Sequence, residues 1–154
     1  MSTIAGALRS APREAPFLHH GEETITFGEL DERSDRVAAG LAARGVRRGD
    51  RVSVALQNGP AWLELFFGAM KLGAIVVTLS PRYREHELRH MLGNSGAVLA
   101  IADAASAPYY GSVPVLDGPP YGEGGLPEAE AGPDDPAVIL YTSGTTGSPK
   151  GAVL

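Results

Sequence analysis

Residues 51–80 read Arg51-Val-Ser-Val-Ala-Leu56, Gln57-Asn-Gly-Pro60, Ala61-Trp-Leu-Glu-Leu-Phe-Phe-Gly-Ala-Met-Lys-Leu72, then Gly73-Ala-Ile-Val-Val-Thr-Leu-Ser80. The first segment is rich in β-branched and apolar residues and predicts a strand after the Gly49-Asp50 turn signal. Asn58-Gly-Pro60 then opens a helix, because proline's fixed φ and missing N–H suit a first helical position. Trp62, Leu65, Phe66, Ala69 and Met70 circle most of that helix, which should therefore be buried on several sides as far as Gly73. Ala74 to Leu79 is apolar without alternation, the pattern of a strand covered on both faces. Ser80-Pro81 breaks it. A strand, a helix and a doubly buried strand in succession form a parallel βαβ unit.

The neighbouring sequence extends the pattern. Upstream, Phe17 to Thr26 predicts a short hairpin, with His19-His20 as a solvated pair. Thr26 and Glu29 have the spacing of a capping box, and Phe27, Leu30, Val37, Ala38, Leu41 and Ala42 recur at helical intervals up to Gly45. Asp31, Glu32 and Asp35 are expected on the solvated face of that helix. Downstream come a helix over roughly 84–92, a strand over 97–102, a short strand over 113–116 and an apolar strand over 137–141. Strand and helix alternate, which predicts an α/β fold: a largely parallel sheet with flanking helices.

The chain has 154 residues, 44% of them hydrophobic and 20% charged, which is ordinary globular usage. It has no cysteine, which excludes disulfides, thiolate zinc sites and a cysteine nucleophile. No apolar run approaches the roughly 20 residues of a membrane span. Met1 to Phe17 lacks the apolar core of a signal peptide, so a cytoplasmic location is expected. The net charge of −5 offers no footprint for nucleic acid. Residues 117–136 hold six acidic residues, no basic ones, five glycines and five prolines. Such a stretch cannot propagate a helix or strand and is expected to be an exposed connection. It divides the chain into an α/β unit over 1–116, the connection over 117–136 and a strand-plus-loop unit over 137–154.

The strand at 137–141 runs directly into Thr142-Ser-Gly-Thr-Thr-Gly-Ser-Pro-Lys-Gly151. Thr142, Ser143, Thr145 and Thr146 offer hydroxyl donors. Gly144 and Gly147 let the backbone turn sharply so that its N–H groups can converge on an oxyanion. Lys150 adds a point charge on a long stem. A loop leaving the carboxyl end of a sheet strand is where open α/β sheets bind ligands. Together these features predict a phosphate cradle. It is not a Walker A loop, because Ser148-Pro149 separates the second glycine from the lysine and Gly151 follows it.

Tyr141 to Gly151 closely resembles the signature loop of the AMP-dependent synthetases and ligases. These adenylate-forming enzymes include acyl-CoA synthetases, peptide-synthetase adenylation domains and luciferases. Ile25-Thr-Phe-Gly-Glu-Leu30, Gly45-Val-Arg-Arg-Gly-Asp-Arg-Val52 and Gly68-Ala-Met-Lys-Leu-Gly-Ala-Ile-Val-Val77 resemble the family's other segments, in its usual order. Leu79 to Leu88 is most similar to the acyl-CoA ligases, although Ser80 stands where those usually carry Asn. The resemblance implies the N-terminal portion of an adenylate-forming enzyme. Thr142, Ser143, Gly144, Thr145, Thr146, Gly147 and Lys150 would hold the β- and γ-phosphates of ATP, and no catalytic residue is assigned. It further implies Mg2+, coenzyme A and a small carboxylic acid as the other reactants. The family's adenine, ribose and C-terminal lysine motifs are not in this sequence, so the chain is expected to be inactive alone. With the rest of the sheet missing, the strand at 137–141 and the apolar Ala152-Val-Leu154 are expected to lack partners and to promote self-association through an exposed edge.

Two alternatives compete. His86-Glu-Leu-Arg-His90 matches the H-E-x-x-H pattern of zinc peptidases, with both imidazoles on one helix face and Glu87 as general base. Its third ligand fails, because position 96 is Gly, and Glu123 or Glu128 would have to serve. The plain alternative is a surface helix with Leu88, Met91 and Leu92 inward and both histidines solvated, and no metal ligand is assigned. The second competitor is a free-standing nucleotide- or phosphate-binding module. Trp62, Phe66, Phe67 and Met70 are expected in the core rather than on a ligand platform.

Overall fold

Val52 and Val54 point to one side of their strand and Ser53 and Ala55 to the other, and all four are buried. That strand therefore lies inside a sheet covered on both faces. The computed structural model describes residues 3–126, 131–142 and 147–154. Its elements are α1 (Ile4–Ser10), β1 (Pro16–His20), β2 (Glu23–Thr26), α2 (Phe27–Ala43), β3 (Arg51–Ala55), α3 (Pro60–Leu72), β4 (Ile75–Thr78), α4 (Glu85–Ser95), β5 (Leu99–Ala102), a 3-10 helix (Ala104–Tyr110), β6 (Val115–Leu116), β7 (Val138–Thr142) and β8 (Lys150–Val153).

β1 and β2 form the hairpin read from the sequence. The six other strands make one sheet in the order β6-β5-β3-β4-β7-β8, parallel except for the antiparallel β7–β8 pair. Helices α2 and α3 cover one face, where Val37, Leu41, Leu65 and Ala69 pack on Val52, Val54, Val76 and Ile101. Helix α4 covers the other, with Leu88, Met91 and Leu92 against Ala55, Val77 and Ala100. Phe67 and Met70 are buried, and Trp62 stacks on Phe66 at a centroid separation of 5.4 Å. Both halves of the capping box are made: the Glu29 amide donates to Thr26 Oγ1 at 3.2 Å, and the Thr26 amide to Glu29 Oε2 at 2.9 Å.

Several expectations are corrected. Asp31 and Asp35 are not a solvated face. They receive Lys71, whose side chain is fully buried and whose ammonium donates to Asp31 Oδ1 at 2.6 Å, Asp35 Oδ1 at 2.5 Å and the Asp31 carbonyl at 2.7 Å. All three ammonium protons are used, which is what a buried cation requires. Of the three acids read as solvated, Glu32 alone is well exposed, and it pairs with Arg13 at 2.7 Å. The strand at 137–141 does not lack partners: β7 is hydrogen-bonded to β4 on one side and β8 on the other, so β8 carries the open edge. Nor is the acidic connection simply exposed. Pro120 is buried, the Gly122 amide donates to the Arg36 carbonyl at 2.8 Å, and Asp135 pairs with Arg48 at 2.7 Å. A Cβ on Gly40 would come within 1.7 Å of the Pro120 carbonyl oxygen, so this helical glycine makes the seat for the connection.

Candidate phosphate site at the carboxyl edge of the sheet

β7 delivers Thr142 to the carboxyl edge of the sheet, and β8 brings Lys150 back directly opposite it. Side chains so paired across two strands have Cβ atoms about 4.5–5.5 Å apart. Both residues are exposed. Strand alternation puts them on one face with Leu140 and Ala152, while Ile139 and Tyr141 turn to the other and pack towards α4. Gly147, at the returning end of the loop, has φ +117°, a conformation that L side chains rarely adopt. Thr142, Gly147 and Lys150 are thus gathered around one hairpin mouth. Ser143, Gly144, Thr145 and Thr146 lie outside the described residues. Lys150 belongs to a strand rather than to the loop, so its stem rises from a hydrogen-bonded ladder.

The adjoining edge of the sheet is polar. The ends of β3 and β4 open a pocket of about 460 Å³ lined by Gln57, Asn58, Trp62, Thr78, Ser80 and Arg82 among others. The chain leaves β3 through α3 on one face and leaves β4 through α4 on the other. The pocket therefore sits where the topology switches direction, the place where open α/β sheets take ligands. Thr78 Oγ1 donates to the Ile139 carbonyl at 3.4 Å, which ties the pocket floor to β7. Ser80 Oγ accepts the Arg82 amide at 3.2 Å and shapes the turn after β4. Asn58-Gly-Pro60 signalled only a helix start; its place after a strand and before a reversal was the signal for this pocket.

Helix α4 reaches the same hairpin from behind. His90 Nε2 lies 2.9 Å from the Pro149 carbonyl oxygen. The Tyr141 hydroxyl lies 2.7 Å from Asn94 Oδ1 and 3.1 Å from the Met91 carbonyl. Burial pushes that phenol's pKa upward. These contacts lend the zinc alternative no support, and they correct the expectation that both histidines are solvated, since His90 is bonded to the hairpin. The Glu87 carboxylate accepts the Arg84 amide at 3.0 Å at the start of its own helix, and its amide contacts hold its pKa below the usual range. His90 is committed to the hairpin. Among the described residues, no group of three or more His, Cys, Asp or Glu could hold a metal ion.

The family profile described as AMP-binding enzyme matches residues 6–154. The chain belongs to this family. A feruloyl-CoA synthase from an Amycolatopsis species is 40% identical over 147 residues, covering 91% of this chain and 30% of that protein. A long-chain-fatty-acid–CoA ligase of Mycobacterium tuberculosis is 35% identical over 99% of this chain and 35% of its own length. The o-succinylbenzoate coenzyme A synthetase of Bacillus subtilis, solved with AMP, superposes with a TM-score of 0.82 at 29% identity, over 98% of this chain and 41% of that one. The N-terminal domain of FACL13 from M. tuberculosis superposes at 0.80 with 30% identity, over 100% of this chain and 44% of that one. The chain spans about a third of the length of the curated relatives it matches. Its fold is that of the N-terminal domains of adenylate-forming enzymes, and no described helix is long and apolar enough to cross a membrane.

Proposed function

We propose that this AMP-binding family chain supplies the phosphate-holding part of an ATP-dependent acid–thiol ligase. The carrying observation is the Thr142–Lys150 pair at the mouth of the hairpin, exposed on the carboxyl edge of a parallel sheet. In the reaction, a carboxylate oxygen of the acid attacks the α-phosphorus of ATP. The bond from that phosphorus to the bridging oxygen breaks, and pyrophosphate leaves with the electron pair. A thiol, that of coenzyme A, then displaces AMP from the acyl-AMP to give the thioester.

The donor set fits polyphosphate. Lys150 neutralises charge on the β- and γ-phosphates as it builds on departing pyrophosphate, and Thr142 donates a neutral hydrogen bond beside it. Ser143, Gly144, Thr145, Thr146 and Gly147 complete the cradle with hydroxyl and backbone donors. Positioning and charge neutralisation carry most of the catalysis in transfers at phosphorus. Mg2+ enters with the phosphates of ATP, and no described residue is assigned to coenzyme A. The matched ligases, which take feruloyl and long-chain fatty acyl groups by name, favour an organic acid as substrate over a free-standing phosphate-binding module. We extend the same reading to a cytoplasmic enzyme in which 1–116, 117–136 and 137–154 act as the scaffold, the connection and the ATP loop.

Calorimetric titration of the chain with MgATP and with pyrophosphate tests this. Lys150→Ala removes a charge-assisted contact worth about 1.5–3 kcal/mol, so affinity should fall roughly 10–150-fold. Thr142→Val should act in the same direction with a smaller loss. Unchanged affinity in both variants would remove the assignment.

A further inference from the structure

The H-E-x-x-H segment on α4 has no part in the function proposed above, yet its last residue touches the hairpin that function relies on. His90 and Asn94 are four residues apart, so they share one face of the helix. That face grips both strands of the hairpin: His90 at Pro149, just before β8, and Asn94 at Tyr141, near the end of β7. The helix itself is anchored by the buried side chains of Leu88, Met91 and Leu92. The grip depends on Gly151. It pairs with Tyr141 across the ladder, and a Cβ there would lie 2.9 Å from Ile139 Cγ2 and 3.3 Å from the Tyr141 ring.

We propose that His90 is a positioning residue for the phosphate loop, fixing the peptide from which Lys150 departs. A carbonyl oxygen only accepts, so Nε2 must carry the proton. The Nε2–H tautomer and the imidazolium both satisfy the bond, and the Nδ1–H tautomer does not. Pro149 has no N–H of its own, so its carbonyl is its only hydrogen-bonding backbone group. That carbonyl belongs to the same planar peptide as the Lys150 amide. Holding it sets the angle at which Lys150 joins β8, and hence the path of its ammonium. The consequence for ATP rests on the phosphate reading of the loop; the grip itself does not.

Two variants and one spectrum test the proposal on the chain as it stands. Long-range 15N NMR should show His90 protonated at Nε2. His90→Phe keeps a planar ring and loses the donor; His90→Gln restores an N–H near the position of Nε2. MgATP affinity should fall roughly 2- to 13-fold in His90→Phe, the equivalent of one neutral hydrogen bond, and return to within about twofold of wild type in His90→Gln. The Lys150 amide, which faces Thr142 across the ladder, should exchange faster in the Phe variant alone. An Nδ1–H tautomer would overturn the proposal. So would wild-type MgATP affinity in His90→Phe while Lys150→Ala still loses binding, an outcome that leaves the phosphate reading intact. If wild type does not bind MgATP, the phosphate reading fails, and the exchange rates in His90→Phe still decide whether the grip exists.

Discussion

Replacing Lys71 by Met keeps the long apolar stem of the side chain and deletes its charge. The structure states what is left behind. Asp31, with a side chain 13% exposed, retains Arg13 at 3.2 Å; Asp35, 38% exposed, retains no ion pair among the described residues; and the Asp31 carbonyl loses its 2.7 Å donor. Removing one member of a buried ion cluster costs about 3–5 kcal/mol, mostly because the partner charge stays behind uncompensated. Asp35 keeps some contact with water, so the lower half of that range is expected. For a chain of this size each kcal/mol moves Tm by about 2–4 °C, so Lys71→Met should melt roughly 6–16 °C below wild type. Thermal unfolding followed by circular dichroism reads this directly. A double-mutant cycle with Asp35→Asn isolates the pair: the cost of Lys71→Met should shrink once the second carboxylate is neutral. A Lys71→Met protein within about 1 °C of wild type would refute the claim that the cluster holds α2 to α3.

Gly40→Ala should unseat the connection that crosses α2. Overpacking of this kind costs about 1–3 kcal/mol, and faster exchange of the Gly122 amide would locate the damage there. Thr26→Ala should cost about 0.5–2 kcal/mol by opening the capping box, measurable by urea denaturation. Tyr121 should titrate high: burial first, and then the Glu64 carboxylate to which its hydroxyl donates, push it up to about 12. Because the folded state holds this proton more tightly than the unfolded chain, its contribution is complete below pH 10 and is lost as pH rises towards 12. Spectrophotometric titration of Glu64→Gln should show Tyr121 moving only part of the way back, since burial, the larger cause, remains.

Local rules carried far in this chain where they act over a few residues. Thr26 with Glu29, Pro60 at the first turn of α3 and the apolar run at β4 each state their structure within one element. The failures are long-range. α1 and β8 are short, at seven and four residues, and their sequences carry little propensity; tertiary partners make them. Lys150-Gly-Ala-Val153 becomes a strand because β7 offers it a ladder, which nothing in those four residues announces. Asp31 and Asp35 follow the charged face of an amphipathic helix, and only the approach of Lys71, from about forty residues away, turns that face inward. At the site, residue chemistry nominated Thr142, Gly147 and Lys150 together, and strand pairing brings them to one mouth. The grip of α4 was invisible, because the H-E-x-x-H pattern pointed to metal and no local pattern encodes a contact with Pro149.

The sheet order also sets a timetable for synthesis. β3 pairs with β4 on one side and β5 on the other over short stretches of chain, and α3 and α4 connect them. β7, by contrast, joins β4 only after about 60 further residues have been made. At roughly 5–20 residues per second, the ribosome needs about 3–12 s to deliver them. During that interval the apolar edge of β4 waits without its neighbour. The acidic, proline-rich stretch emerges just ahead of β7, and its charge helps to keep the waiting edge apart from other chains until the last two strands close over it.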